Sequence, residues 1–332
     1  MRLLVTGGMG FIGSNFVRYM FANHDDLYIV NLDRLSYGSN LANLNNLEDR
    51  RSYSFLKGDI NDSALVSKAA RDVEAVVNFA AETHVDRSIS EPRSFHESNT
   101  AGVLSLLETC RLYDLRFVQV STDEVYGSAT DQQAFTEEDR LDTSSPYSAS
   151  KGAGDLFVNA YHKTYGLRTF VTRSTNNFGP YQSPEKFIPK AIISASLDRP
   201  IPIYGSGHQV RDWIYVEDHC EALDLVLQQG RPGETYNIAG GNQLENLQIA
   251  EMILRILNKP TKLLKHVEDR PGHDFRYSLD ASKITRELEW KPKHRFQEAL
   301  ERTVAWYCAN ESWWRPLIDE KILSPTPWKE AW

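Results

Sequence analysis

Short aliphatic or β-branched runs alternate with amphipathic stretches through the first half of the chain. The runs Leu3 to Thr6, Leu27 to Leu32, Tyr53 to Leu56, Ala75 to Phe79, Arg116 to Val120 and Arg168 to Thr172 predict strands. Between them apolar residues recur near the 3.6-residue period, predicting helices at about Phe11 to Phe21, Ser63 to Ala70, Phe95 to Tyr113 and Tyr147 to Tyr165. Strands alternating with helices build βαβ units, so the expected class is α/β with a doubly wound parallel sheet of Rossmann type. After about Ser174 glycine, proline and asparagine become denser, as in Asn176-Asn177-Phe178-Gly179-Pro180-Tyr181. Helices are still expected near Val216 to Gln229, Leu247 to Leu257 and Gln297 to Asn310. A smaller mixed α/β lobe is therefore expected over 175–332, beside a first lobe of 1–174 joined by segments of about 208–240, with a ligand cleft between them.

Hydrophobic residues make up 41% and charged residues 25% of the 332, which is ordinary for a globular protein. No apolar run approaches the ~18 residues of a membrane span, so no membrane partner is expected. The formal charge of −8 leaves no basic footprint for nucleic acid. Cys110, Cys220 and Cys308 lie far apart without a Cys-x-x-Cys pair, so no metal site is expected and all three are read as buried free thiols of a reducing compartment. The strand-like Arg2-Leu3-Leu4-Val5-Thr6 follows Met1 directly, which leaves no room for a signal peptide and points to the cytoplasm.

Directly after the first predicted strand comes Gly7-Gly8-Met9-Gly10-Phe11-Ile12-Gly13, a Gly-x-x-Gly-x-x-Gly turn opening a helix. Glycines let the backbone turn tightly and approach a pyrophosphate, whose charge is met by the amides and dipole of the helix N-terminus. Asp33 ends the second strand, where a carboxylate accepts hydrogen bonds from the ribose hydroxyls and repels a 2′-phosphate. NAD is thus preferred over NADP, although the neighbouring Arg34 could accommodate a phosphate.

Tyr147 and Lys151 stand one helical turn apart after the turn Ser144-Ser145-Pro146, so their side chains share a face and the lysine can lower the phenol pKa. The spacing alone is weak, because Tyr53 and Lys57 repeat it in a predicted strand, where the two are about 13 Å apart. Tyr147 gains weight from Ser121-Thr122-Asp123-Glu124-Val125-Tyr126-Gly127, which follows the strand Arg116 to Val120 at its carboxyl end, the edge where open α/β sheets bind ligands. A hydroxyl and two adjacent carboxylates there suit proton chemistry on a sugar.

With these motifs the chain resembles the extended short-chain dehydrogenase/reductase superfamily and, within it, the dTDP-glucose 4,6-dehydratase family. The likeness includes Ala80-Ala81-Glu82-Thr83-His84-Val85-Asp86-Arg87-Ser88, Gly179-Pro180-Tyr181-Gln182, Arg211-Asp212-Trp213 and Arg270-Pro271-Gly272-His273. The Thr122-Asp123-Glu124 triplet is its specific part, since related 4-epimerases lack the Asp-Glu pair. The resemblance implies a lyase acting on a nucleoside-diphosphate glucose. Tyr147 would be the base at O4, oriented by Thr122 and assisted by Lys151. Glu124 would remove the C5 proton, and Asp123 would protonate the departing C6 hydroxyl.

The same resemblance implies a tightly held, recycled NAD. Beyond Gly7, Gly10, Phe11, Ile12, Gly13, Asp33, Tyr147 and Lys151, its site would include Arg34, Leu35, Ser36, Asp59, Ile60, Ala80, Ala81, Ser98 and Asn177. Around the sugar nucleotide it implies Thr83, Thr122, Asn176, Lys186, Phe187, Pro202, Ile203, Tyr204, Arg211, Asn246, Arg270 and His273, and it implies a homodimer built through paired helices. Phe275 departs from the arginine the family pattern leads one to expect, His84 reads as a structural histidine, and Trp313, Trp314, Trp328 and Trp332 read as packing anchors. Three other readings stay open: UDP-glucose as substrate, a nucleotide-sugar 4-epimerase, and a non-enzymatic NAD-binding regulator.

Overall fold

The aliphatic runs of the first half form one parallel sheet. The computed structural model describes all residues except 48–49, 131–132, 270–273 and 330–332. In chain order the first lobe holds β1 (Arg2–Thr6), α1 (Phe11–Asn23), β2 (Tyr28–Asp33), β3 (Tyr53–Lys57), α2 (Ser63–Ala70) and β4 (Ala75–Asn78). It continues with α3 (Val85–Ser90), α4 (Pro92–His96), α5 (Gly102–Tyr113), β5 (Arg116–Thr122), α6 (Pro146–Tyr165) and β6 (Thr169–Ser174). There follow β7 (Asn176–Phe178), α7 (Phe187–Ser196), β8 (Ile201–Tyr204), β9 (Val210–Tyr215), α8 (Val216–Gln229), β10 (Thr235–Ile238), β11 (Gln243–Glu245) and α9 (Asn246–Ile256). The chain ends with β12 (Leu264–Val267), α10 (Ser282–Leu288), α11 (Phe296–Ala309) and α12 (Glu311–Trp314).

The main sheet has the order β10-β6-β5-β4-β1-β2-β3, and every pairing in it is parallel. Strand order reverses beside β1, which opens a crevice at the carboxyl edge between β1 and β4. Side chains alternate across β1, so Leu3 and Val5 enter the core under α1 and α8 while Leu4 enters the core under α2 and α5. A polar row crosses the sheet interior: Thr6 donates to Asn78 at 2.6 Å, and the Asn78 amide donates to Gln119 at 2.8 Å. The smaller lobe packs α7, α9 and α11 around β8 and β9 as a separate apolar core.

Two sequence expectations are corrected, and two elements go beyond the strands and helices expected. The helix expected over Phe95 to Tyr113 is broken by a π-helical turn at Glu97–Ala101. There Asn99 bonds the Glu82 carbonyl and Ser150, and Thr100 bonds the Ser150 carbonyl, so buried polar groups re-aim the backbone. Helix α7 was not expected from the sequence, and its residues Ile188 to Ala195 are all buried. Strand β10 supplies a seventh strand from late in the chain. Cys308 is exposed, whereas Cys110 and Cys220 are buried as expected.

Tyr53 and Lys57 do lie in a strand, β3, and the Tyr53 hydroxyl accepts from Asn31. Trp313 and Trp314 anchor the tail: the Trp313 indole donates to Asn43 at 2.9 Å, and Trp314 donates to the Tyr307 carbonyl at 2.8 Å. Trp328 meets Tyr204 edge-on, and Trp332 lies outside the described residues. No helix among the described residues is long and apolar enough to cross a membrane.

Trp290 fills the space beside α8 and α10, is 2% exposed, and donates to the Asp218 carbonyl at 3.2 Å. Trp290→Ala is expected to lower stability by about 3–5 kcal/mol, read as a reduced midpoint of urea unfolding.

Candidate active site

The glycine turn packs against the loop that follows β4. Gly7 has φ +69°, and a Cβ there would lie 2.5 Å from the Ala80 nitrogen; one on Gly13 would lie 2.4 Å from the Gly7 carbonyl oxygen. Only bare backbone fits. Gly10 precedes α1 without any side-chain cap, so the first amides of the helix stay available to an anion. Asp33 ends β2, and its carboxylate accepts from the amides of Met9 (2.9 Å) and Leu35 (2.8 Å) and from the Ser39 hydroxyl (3.0 Å). An ionised carboxylate has about four acceptor positions, so one remains for a ribose hydroxyl. Arg34 is bonded to Asp59 at 3.1 Å and to Glu82, so two carboxylates already neutralise the cation that could have favoured a 2′-phosphate. The residues thus fit a dinucleotide without that phosphate.

The catalytic candidates meet at the ends of β5 and α6. Ser145 and Ser148 form a capping box, and Pro146 occupies the first turn, which fixes the start of α6 and brings Tyr147 and Lys151 onto its inner face. The Lys151 ammonium donates to the Val120 carbonyl at 2.7 Å. The Tyr147 phenol shares a hydrogen bond with Thr122 and meets Phe95 edge-on at 6.3 Å. Thr122 donates to Asp123 at 3.1 Å and accepts the Glu124 amide at 3.3 Å.

Asp123 is buried, and its second carboxyl oxygen has no hydrogen-bond partner. Burial first, then the Glu124 charge, pushes its pKa well above the usual carboxylate range, which favours the protonated form. Burial first and Glu124 second also push the Tyr147 phenol up, and burial pulls Lys151 down to about 8. In the protein alone, therefore, desolvation outweighs the lowering of the phenol that the Tyr/Lys spacing suggests.

One cavity joins the two regions, lined by the glycine turn, Asp33, Arg34, Ser36, Asp59, Ile60, Ala80, Ala81, Thr83, Ser98, Thr122, Asp123, Glu124, Tyr147, Lys151, Asn176, Asn177 and Lys186. A dinucleotide cradle thus runs without a break into an acid, a base and a tyrosine. Residues 4–303 match the family model described as GDP-mannose 4,6 dehydratase. The chain belongs to this family. This member of the GDP-mannose 4,6 dehydratase family is 48% identical over 332 residues to a dTDP-glucose 4,6-dehydratase of Streptomyces niveus, covering 98% of each chain. It is 44% identical over 351 residues to the dTDP-glucose 4,6-dehydratase of Escherichia coli, covering 96% of this chain and 97% of that one. The crystal structure of a double mutant of the dTDP-glucose 4,6-dehydratase from Streptomyces venezuelae, with NAD bound, superposes with a TM-score of 0.94 at 45% identity. That match covers 96% of this chain and 100% of the other.

In this family member the cavity wall leaves out Leu35, Phe187, Pro202, Ile203, Tyr204, Arg211 and Asn246. Pro202 and Ile203 are buried in β8, Phe187 packs near Trp213, and Tyr204 meets Trp328. Arg211 is turned to backbone, donating to the carbonyls of Val210, Asp274 and Phe275. Asn246 opens α9, and Leu35 meets the site only through its amide on Asp33. Arg270 and His273 lie outside the described residues. His84 lines the cavity 3.7 Å from Glu185, and Phe275 is exposed.

Asn177 is held by His219 and Ser174, whereas the buried Asn176 side-chain oxygen faces the site without a partner. Sequence reasoning missed Glu82, Glu185, Tyr37 and Gln182 on the cavity wall, although Glu82 sits inside a motif it had singled out. Gly13→Ala must displace the Gly7 carbonyl, so it is expected to weaken NAD binding by at least about 10-fold, measured by calorimetry on protein stripped of cofactor.

Proposed function

We propose that the chain converts dTDP-glucose into dTDP-4-keto-6-deoxyglucose and water, as a hydro-lyase with tightly bound NAD regenerated in each turnover. The cofactor domain would comprise 1–174 joined by about 208–240, and the remainder of 175–332 would hold the nucleotide sugar. One observation carries the reading: a buried Asp123 with an unpartnered carboxyl oxygen stands beside an acidic neighbour and a tyrosine in one cavity, and burial favours its protonated form. An epimerase needs no proton donor for a leaving hydroxyl, and a cofactor sensor needs none of these three groups.

Tyr147 takes the proton from O4, with Thr122 orienting that oxygen and Lys151 supplying positive charge near the phenol. The glycine turn and Asp33 would hold NAD, which would supply the hydride chemistry linking C4 and C6. The 4-ketone acidifies the C5 hydrogen, which Glu124 removes while Asp123 gives its proton to the departing C6 hydroxyl, releasing water. Glu124 then returns its proton to C5, O4 remains a ketone, and the proton that Tyr147 took from O4 passes by way of solvent to Asp123, which resets both groups. Asn176 and Lys186 suit the nucleotide side of the cleft, where Lys186 now donates to the Thr83 carbonyl at 2.9 Å. The names of the relatives favour thymidine over uridine, a one-methyl difference that an apolar pocket can discriminate by about 10–200-fold. Buried free Cys110 and Cys220 suit the reducing cytoplasm.

A homodimer is assigned through α5 and α6, whose outer faces expose Leu112, Leu156, Phe157 and Tyr165 to 70, 62, 37 and 54%. Self-complementary apolar faces of this kind suit a two-fold interface.

With substrate deuterated at C4, mass spectrometry is expected to find loss of one water and the label in the new methyl group; an unlabelled methyl group would sink the scheme. Glu124→Gln is expected to cut turnover by about 10²–10⁴-fold while still oxidising C4, leaving ketone trapped at no more than one per site. Leu112→Glu/Leu156→Glu is expected to sediment as a monomer, where the unaltered chain sediments as a dimer.

A further inference from the structure

An ion pair that this scheme leaves unused lies one helical turn beyond Lys151. Asp155 follows Lys151 by four residues on α6 and shares its face. It is 0% exposed, and Arg173 on β6 is 4% exposed. The Arg173 Nε donates to Asp155 Oδ2 at 3.0 Å, and Asp155 Oδ1 has no hydrogen-bond partner. The guanidinium also donates to the Tyr126 hydroxyl at 2.7 Å, and that hydroxyl donates to Asn237 on β10 at 3.0 Å. Tyr126 ends the 3₁₀ turn Asp123–Tyr126, which carries both carboxyl groups of the elimination step. A buried charge pair costs much desolvation and is weak evidence for stability, so its place here calls for a functional account.

We propose that Asp155 and Arg173 are a positioning pair for the reaction centre: Asp155 is the buried counter-charge one helical turn from Lys151, and Arg173 pairs with Asp155 while fixing, through Tyr126, the turn bearing Asp123 and Glu124. The inference rests on the Tyr147/Lys151 reading given above. Burial works against the Lys151 ammonium, and Asp155 is the group that opposes it. The other titratable groups around this centre are Tyr147 on the same helix, Arg173 on β6, Asp123, Glu124 and Tyr126 in the turn, and Arg211 and Asp212 on β9, whose charges act on Asp123. Across α6, the π turn brings the uncharged Ser98, Asn99 and Thr100, and α3 brings Asp86 and Arg87. Arg87 is turned to Glu82, and Asp86 interacts with Lys190. Arg93, His96, Glu97, Glu108 and Arg111 on α4, the π turn and α5 lie at exposed positions.

The sign follows from the charges. Asp155 raises the Lys151 pKa, so its removal lets the ammonium lose its proton at lower pH. The test is kcat against pH on dTDP-glucose for the unaltered enzyme, Asp155→Asn and the double variant Asp155→Asn/Arg173→Met. In the unaltered enzyme kcat should decline on the alkaline side near pH 8, where Lys151 titrates. In Asp155→Asn that decline should move about one pH unit toward acid and kcat at neutral pH should fall about 10-fold, with KM and bound NAD unchanged.

The single variant leaves Arg173 buried without its counter-charge, so it is expected to lose stability. The double variant removes that defect and should recover the melting temperature while keeping the displaced limb. A limb that stays in place, or a double variant with the unaltered profile, overturns the proposal and leaves the pair a packing feature. If the unaltered chain forms no dehydrated sugar, the functional reading fails instead.

Discussion

A carboxyl group taken out of water and set beside a second carboxyl is the constraint around which this site is organised. Two adjacent acids cannot both ionise cheaply in a desolvated cleft, so one retains its proton. Which one does so is decided by burial: Asp123 turns into the protein at the end of β5, while Glu124 is only partly buried. The two neighbouring carboxyl groups are thereby given different proton affinities by burial alone. The fold supplies the place for this, because parallel strands deliver their last residues to one edge.

The same edge gathers the rest of the machinery. Thr6, Asp33, Thr122 and Ser174 each close a strand of one sheet, and a row of hydrogen bonds through Asn78 and Gln119 keeps the middle strands in step. The glycine turn and Asp33 are tied together through Met9, so cofactor recognition and backbone geometry are one structure. Arg34, which sequence alone left free to bind a phosphate, is neutralised by two acids from neighbouring loops.

What was legible in the sequence was local. The strand-turn-helix of the cofactor cradle, the Asp-Glu pair and the Tyr/Lys spacing each lie within a few residues and carry their own geometry. What was illegible depended on distant partners. Nothing near Arg211 says that its guanidinium turns to the carbonyls of Asp274 and Phe275. Ile188 to Ala195 are buried on every face, which only the packing of the smaller lobe shows. Pro202 to Tyr204 were transferred from a family pattern, and β8 buries the first two of them away from the cavity. The π turn at Glu97–Ala101 answers to Glu82 and Ser150, neither of which is its neighbour in the chain.

Strand β10 couples the order of synthesis to the integrity of the catalytic turn. Its Asn237 accepts a hydrogen bond from the Tyr126 hydroxyl, and its backbone completes the edge beside β6. A nascent chain that has emerged only through β6 has written all five reactive residues but has no final strand against which to seat them. Assembly of the reaction centre is therefore a late event in biogenesis, and fragments ending before about residue 238 would carry the chemistry in their letters without its geometry.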